Sequence, residues 1–264
     1  MLIFVILLFI ATNLQCTGVS QPSAASQNEI SKTTFLKEDT IPQYAQKIIE
    51  TYKDFQLEYK EEALVFSDGT IIVCDDGREK SFIEKLDNCD IEDMFSMPYD
   101  RSVTIPAYLN DAGRGRNEQL FKKMYGSNQN AVQQNLVCID WFGQKILFSK
   151  VNGAAEQLKK VAAELQNRPN LHKYLTSAST FYWRKVRGAN RLSAHSYGIA
   201  IDINTTYSNY WLWANPRSSE TDHIKYENRI PMEIVEVFEK YGFIWGGRWY
   251  HYDTMHFEYR PELL

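Results

Sequence analysis

Two stretches of this chain are β-prone runs broken by a turn too short to join anything but antiparallel strands. In "ALVFSDGTIIVCDDG" the turn falls at Asp68 and Gly69, and an Asp-Gly pair between such runs is a strong hairpin signal. "NLVCIDWFGQKILFSK" turns at Gly143. Helical patterns lie around these hairpins. Behind Pro42, the residues Tyr44, Ile48, Ile49 and Tyr52 recur at helical spacing, and "RNEQLFKKMYG" stops at Gly126. Residues 154–165 carry Leu158, Val161, Ala162 and Leu165 on one face. Pro231 opens a further helix, striped by Ile234, Val235 and Phe238 and ended by Gly242. Hairpins and separated helices without an internal repeat predict an α+β fold: a small antiparallel sheet flanked by helices, not a βαβ array.

The most strand-like run near the C-terminus contains a misfit. In "RLSAHSYGIAIDIN", Ile199, Ile201 and Ile203 alternate with Ala200, Asp202 and Asn204, the period of a strand with one face on a core. Aspartate is depleted in strands, and a carboxylate in apolar surroundings needs a cation, a hydrogen-bond network or a proton. His195 lies seven residues before Asp202, and "WYHYDTMHFEY" holds Asp253 and His256. Two imidazoles and a carboxylate suit zinc, which at catalytic sites takes three protein ligands and keeps one position open. Residues three apart on a straight strand point to opposite faces, so Asp253 and His256 share a site only if the chain turns between them. The same residues also fit a metal-free reading, in which Asp202 pairs with Arg184, Arg187 or Arg191 and the histidines make local hydrogen bonds. Strict alternation turns His251 away from His256, which makes it structural, like His172 and His223.

The 264 residues, 44% of them hydrophobic, suffice for a sizeable core. A net charge of -4 without a basic block interleaved with aromatics argues against nucleic acid as a partner. Leu2 to Ala11 is an unbroken apolar run of signal-peptide length, so the chain is expected to be exported to the cell envelope or periplasm. Either Cys16 carries a lipid that anchors the N-terminus to a membrane, or a signal is cleaved between Gly18 and Ala25, or the run stays as an uncleaved anchor. The expected organisation is an export or lipoprotein signal over 1–19, a flexible linker over 20–40, an N-terminal α+β part over 41–150 and a site-bearing core over 151–264. Cys74 and Cys89 form either a disulfide or two isolated thiols.

"SAHSYGIAIDIN" closely resembles the S-x-H-x-x-G-x-A-x-D motif, and "DTMHFE" the [DE]-x-x-H motif, of the zinc D-alanyl-D-alanine carboxypeptidases related to VanY, in the lysostaphin/D-Ala-D-Ala-peptidase/hedgehog superfamily. "WGGRW" ahead of the second motif is also similar. The resemblance covers about residues 180–264 and implies a hedgehog/D,D-peptidase type of fold. It makes His195, Asp202 and His256 the zinc ligands, Asp253 the general base and Arg184 the cation facing the developing oxyanion, with Arg187 as the fallback. Ser193 and Tyr197 would contact substrate, and Trp245, Trp249 and Tyr250 are further candidates for the groove. The implied substrate is the stem peptide of peptidoglycan. The expected reaction is D,D-carboxypeptidase cleavage. The base is Asp where VanY has Glu, and with "WGG" this is also similar to L-alanyl-D-glutamate endopeptidases. A non-catalytic cell-wall-binding module is a third reading.

Overall fold

A computed structural model describes residues 40–214 and 216–264; the export segment and nearly all of the linker lie outside them. Helix α1 (Gln43–Thr51) follows Pro42 and buries Ala45 and Ile48. Strands β1 (Glu58–Lys60), β2 (Ala63–Val65) and β3 (Ile71–Val73) form an antiparallel meander, with the expected turn at Gly69 between the last two. Helix α2 (Phe82–Asp87) starts with a capping box, in which Ser81 accepts from the Glu84 amide and Glu84 accepts from the Ser81 amide. Asn117 caps α3 (Glu118–Tyr125), and Asn128 caps α4 (Gln129–Gln133). Gly126 between them has φ 132, and a Cβ there would lie 2.7 Å from the Val132 nitrogen, so only glycine fits.

The second hairpin, β4 (Leu136–Trp141) with β5 (Gln144–Ser149), turns through Phe142 and Gly143, both at positive φ. Two such residues in succession match the twist that a two-residue hairpin requires. Helix α5 (Ala154–Gln166) buries Leu158, Val161 and Leu165, and the short α6 (His172–Leu175) follows. Then come β6 (Ala200–Asp202), α7 (Trp211–Ala214), α8 (Met232–Lys240), β7 (Phe243–Trp245) and β8 (His256–Tyr259). The last three strands make an antiparallel sheet of order β6-β8-β7.

The result is mixed helix and small antiparallel sheets, an α+β arrangement. One apolar cluster takes members from Ala45 to Tyr259, so residues 41–150 and 151–264 share a core. Phe257 of β8 stacks on Phe238 of α8 with ring centroids 3.9 Å apart, and Ile201 lies opposite Phe257 in the register. This face of the sheet is therefore packed. Cys74 and Cys89 are free buried thiols, and the disulfide does not form.

Candidate active site

Asp202 lies directly across from His256 in the β6-β8 register, so both side chains leave the same face of the sheet, opposite the Ile201/Phe257 face. This is why the hydrophobic alternation carries an aspartate. His256 Nδ1 lies 2.9 Å from Asp202 Oδ1. His195 sits on a one-turn 3-10 helix, Ala194–Tyr197, and its Nε2 is 3.2 Å from the same oxygen. The turn ends in Gly198 at φ 68, a left-handed conformation that favours glycine, and a Cβ there would also push on Leu136 Cδ2 at 2.4 Å. One ligand atom from each of His195, Asp202 and His256 falls within 4.8 Å of the others.

The outer nitrogens fix which atoms face inward. His195 Nδ1 donates to the Thr180 carbonyl at 2.6 Å, leaving the Nε2 lone pair toward Asp202. His256 Nε2 approaches Glu258 Oε2 at 3.5 Å, which leaves Nδ1 toward Asp202. An acceptor behind each imidazole is the arrangement that orients histidine as a metal ligand. Glu258 is two residues beyond His256 on β8 and so shares its face. It is fully buried between Arg116 Nη1 at 3.2 Å and Arg260 Nη1 at 3.1 Å. Burial alone would raise its carboxyl, but Arg116, the His256 hydrogen bond and Arg260 hold it down at about 2. The donor set, its convergence on one point and its outer hydrogen bonds all fit a divalent metal with nitrogen and oxygen ligands.

Asp253 reaches the site because the chain turns, as the sequence required. The His256 amide donates to the Asp253 carbonyl at 3.2 Å, and the Asp253 amide to the Gly246 carbonyl at 3.0 Å. Trp245 Nε1 pins the turn through the Thr254 carbonyl at 2.9 Å. Gly246 is forced by packing, since a Cβ there would stand 2.5 Å from the Asp253 carbonyl oxygen. Asp253 Oδ1 is buried without a hydrogen-bond partner among the described residues. In the metal-free site, burial and the neighbouring Asp202 push its carboxyl up to about 7, against the pull of His256, His195 and Arg184. A carboxyl at this place beside the ligands is positioned to take and return a proton.

These groups line a cavity of about 750 Å³ together with Arg184, Arg187 and Ser193. The Arg184 amide donates to Ser196 Oγ at 2.9 Å, and Ser196 Oγ donates to the Arg184 carbonyl at 2.7 Å, tying the arginine's backbone to the His195 turn. Trp249 lines the cavity, whereas Trp245 and Tyr250 do not. Tyr197 is brought elsewhere: it is buried against Phe121 and Tyr125, with ring centroids at 5.6 and 6.2 Å, so its side chain serves the core. Arg191 pairs with Asp87, not Asp202. His251, expected to be remote, lines the same cavity, hydrogen-bonded to Asp111.

With that geometry, the comparison with known families falls on the same segment. Residues 187–259 match the family of D-alanyl-D-alanine carboxypeptidases. The matched stretch contains all three candidate ligands and Asp253, and it supports a place in the VanY-like peptidase superfamily. No curated protein and no solved structure matches the chain significantly.

Sequence reasoning missed Thr180, Glu258 and Arg116. Glu258 was within reach of it, because alternation puts residue i+2 of a strand on the face of residue i. Thr180 and Arg116 carried no local signal, since each meets the site only through the tertiary fold.

Proposed function

We propose that this protein is a zinc peptidase that hydrolyses peptidoglycan stem peptides outside the cytoplasmic membrane, removing the terminal D-alanine as a D,D-carboxypeptidase. The observation that carries this reading is the meeting of His195, Asp202 and His256 at one point beside the buried Asp253. Zinc held by those three side chains would supply Lewis acidity toward a carbonyl and toward water. Asp253 accepts the proton of the attacking water and returns it to the leaving amine. Arg184 offers its guanidinium to the charge that develops on the carbonyl oxygen, and Ser193 lines the approach. Glu258 and the Thr180 carbonyl keep both imidazoles in their working tautomers.

The test is metal content of the purified full chain together with product masses on a defined stem pentapeptide. Bound zinc and loss of one alanine are expected. Cleavage between L-Ala and D-Glu would assign the endopeptidase instead. Bound zinc without any cleavage would overturn the peptidase reading in favour of a wall-binding module.

A further inference from the structure

The cavity contains a second polar cluster that the peptidase chemistry does not use. Arg114 Nη1 bridges Asp111 Oδ2 at 2.5 Å and Glu220 Oε2 at 2.9 Å, and its Nη2 reaches Glu220 Oε1 at 3.0 Å. His251 donates from Nδ1 to Asp111 Oδ2 at 2.6 Å, and its backbone amide donates to Asp111 Oδ1 at 3.0 Å. Both carboxyls stay ionised. Burial would raise Asp111, but Arg114 and His251 outweigh it; burial would raise Glu220, but Arg114 outweighs it.

Two shortfalls remain in this cluster. Two carboxylates face one guanidinium, which leaves one negative charge in excess beside a neutral His251 ring. The His251 side chain is fully buried, and its Nε2 has no hydrogen-bond partner among the described residues. The nearest carboxylate oxygen, Glu220 Oε2, is 3.6 Å away, beyond hydrogen-bonding distance. With Nδ1–H given to Asp111, the neutral ring presents an Nε2 lone pair that needs a donor. The adjoining cavity wall is aromatic: Trp211 lies edge-on to His251 at 4.7 Å, and Tyr210 and Trp213 line the same space. A buried acceptor, an excess carboxylate charge and aromatic walls together select a cation that carries its own N–H donors.

We propose that His251, Glu220 and the Tyr210/Trp211/Trp213 wall form a subsite for a primary ammonium group on the peptide substrate. One ligand atom from each of Asp111, Glu220 and His251 falls within 4.8 Å of the others, but a metal ion would have to share these oxygens with Arg114, which already engages Asp111 Oδ2 and both Glu220 oxygens, and with the His251 amide on Asp111 Oδ1. An alkylammonium needs less. It donates one N–H to His251 Nε2 and another to the outer side of Glu220, and it rests its methylenes on the indoles. Resting on the peptidase reading, this makes the preferred substrate a stem peptide with a free side-chain amine on a diamino-acid residue.

The experiment uses the full chain and two N-acylated pentapeptides, acyl-L-Ala-γ-D-Glu-L-Lys-D-Ala-D-Ala with the lysine ε-amine either free or acetylated. Both cleavage, by product mass, and equilibrium binding, by calorimetry, are measured. Hydrogen bonds to a charged group predict a preference for the free amine of about tenfold or more. Glu220→Gln and His251→Gln each remove that preference. Equal binding and equal cleavage of the two peptides by the wild type would overturn the subsite, as would an amine preference that survives both substitutions. Tighter binding of the free amine without cleavage of either peptide would instead sink the peptidase reading and leave the subsite standing.

Discussion

Replacing Glu258 with glutamine removes one negative charge from behind His256 and changes the shape little. The wild-type carboxyl is held at about 2 against an ordinary 4.5, and at 1.36 kcal/mol per unit this amounts to about 3 kcal/mol of folding stability. Breaking a buried ion pair by removing one partner independently suggests about 3–5 kcal/mol, since Arg116 and Arg260 are left facing a neutral amide. A group with a depressed pKa stabilises the fold above its ordinary value and loses that contribution as pH falls through the folded one. The gap between wild type and Glu258→Gln should therefore be full at neutral pH and close between about 4.5 and about 2. Urea unfolding midpoints across that range read it directly. The same substitution weakens the acceptor behind His256 Nε2, so zinc affinity should drop by about 10- to 100-fold. A variant that unfolds at the wild-type midpoint at neutral pH, or that binds zinc as tightly, would refute the positioning role.

Three further outcomes are expected. Asp253→Asn should keep zinc while turnover falls by about 10²- to 10⁴-fold, and His195→Ala should lose both; zinc content and rates on a stem peptide separate the two. In the metal-free protein burial disfavours the charged His256 ring, but its hydrogen bonds to Asp202 and Glu258 outweigh this and push it up to about 10. It is then still protonated at pH 8, and loading zinc at that pH should expel about one proton. Calorimetric heats of zinc binding that do not depend on the buffer's ionisation enthalpy would contradict this. Gly246→Ala should displace the Asp253 carbonyl, which lies 2.5 Å from the new Cβ, at a cost of about 1–3 kcal/mol and with loss of rate exceeding loss of zinc. A folded Gly246→Ala variant with wild-type turnover would show that the turn tolerates the shift.

Local signals in the sequence marked the hairpins and the longer helices, though not the short helices α2, α4, α6 and α7. The turn glycines at Gly69 and Gly143, the cap at Gly126 and the stripes on α5 and α8 are recovered in the structure, because turn chemistry and periodicity act over a few residues. The alternation through Ile203 set Asp202 apart, and the resemblance to the carboxypeptidase motifs, not spacing alone, paired it with His195 and His256. The role of Tyr197 could not be read this way. A tyrosine next to a ligand motif looks the same in sequence whether it faces a cavity or, as here, Phe121 and Tyr125.

Tertiary structure decided what stands around the ligands. Glu258 shares a face with His256 by strand period, but its charge is fixed by Arg116 and Arg260, and Arg116 is far away in sequence. His251 was set aside because alternation along one strand turned it away. The chain turns after Asp253, so strict alternation does not apply there, and Asp111 draws the imidazole to the same cavity from 140 residues upstream. Periodicity describes one element at a time. A ligand's hydrogen-bond partners, and the proton a buried carboxyl keeps, depend on which distant elements the core brings together, and burial gives those contacts their strength.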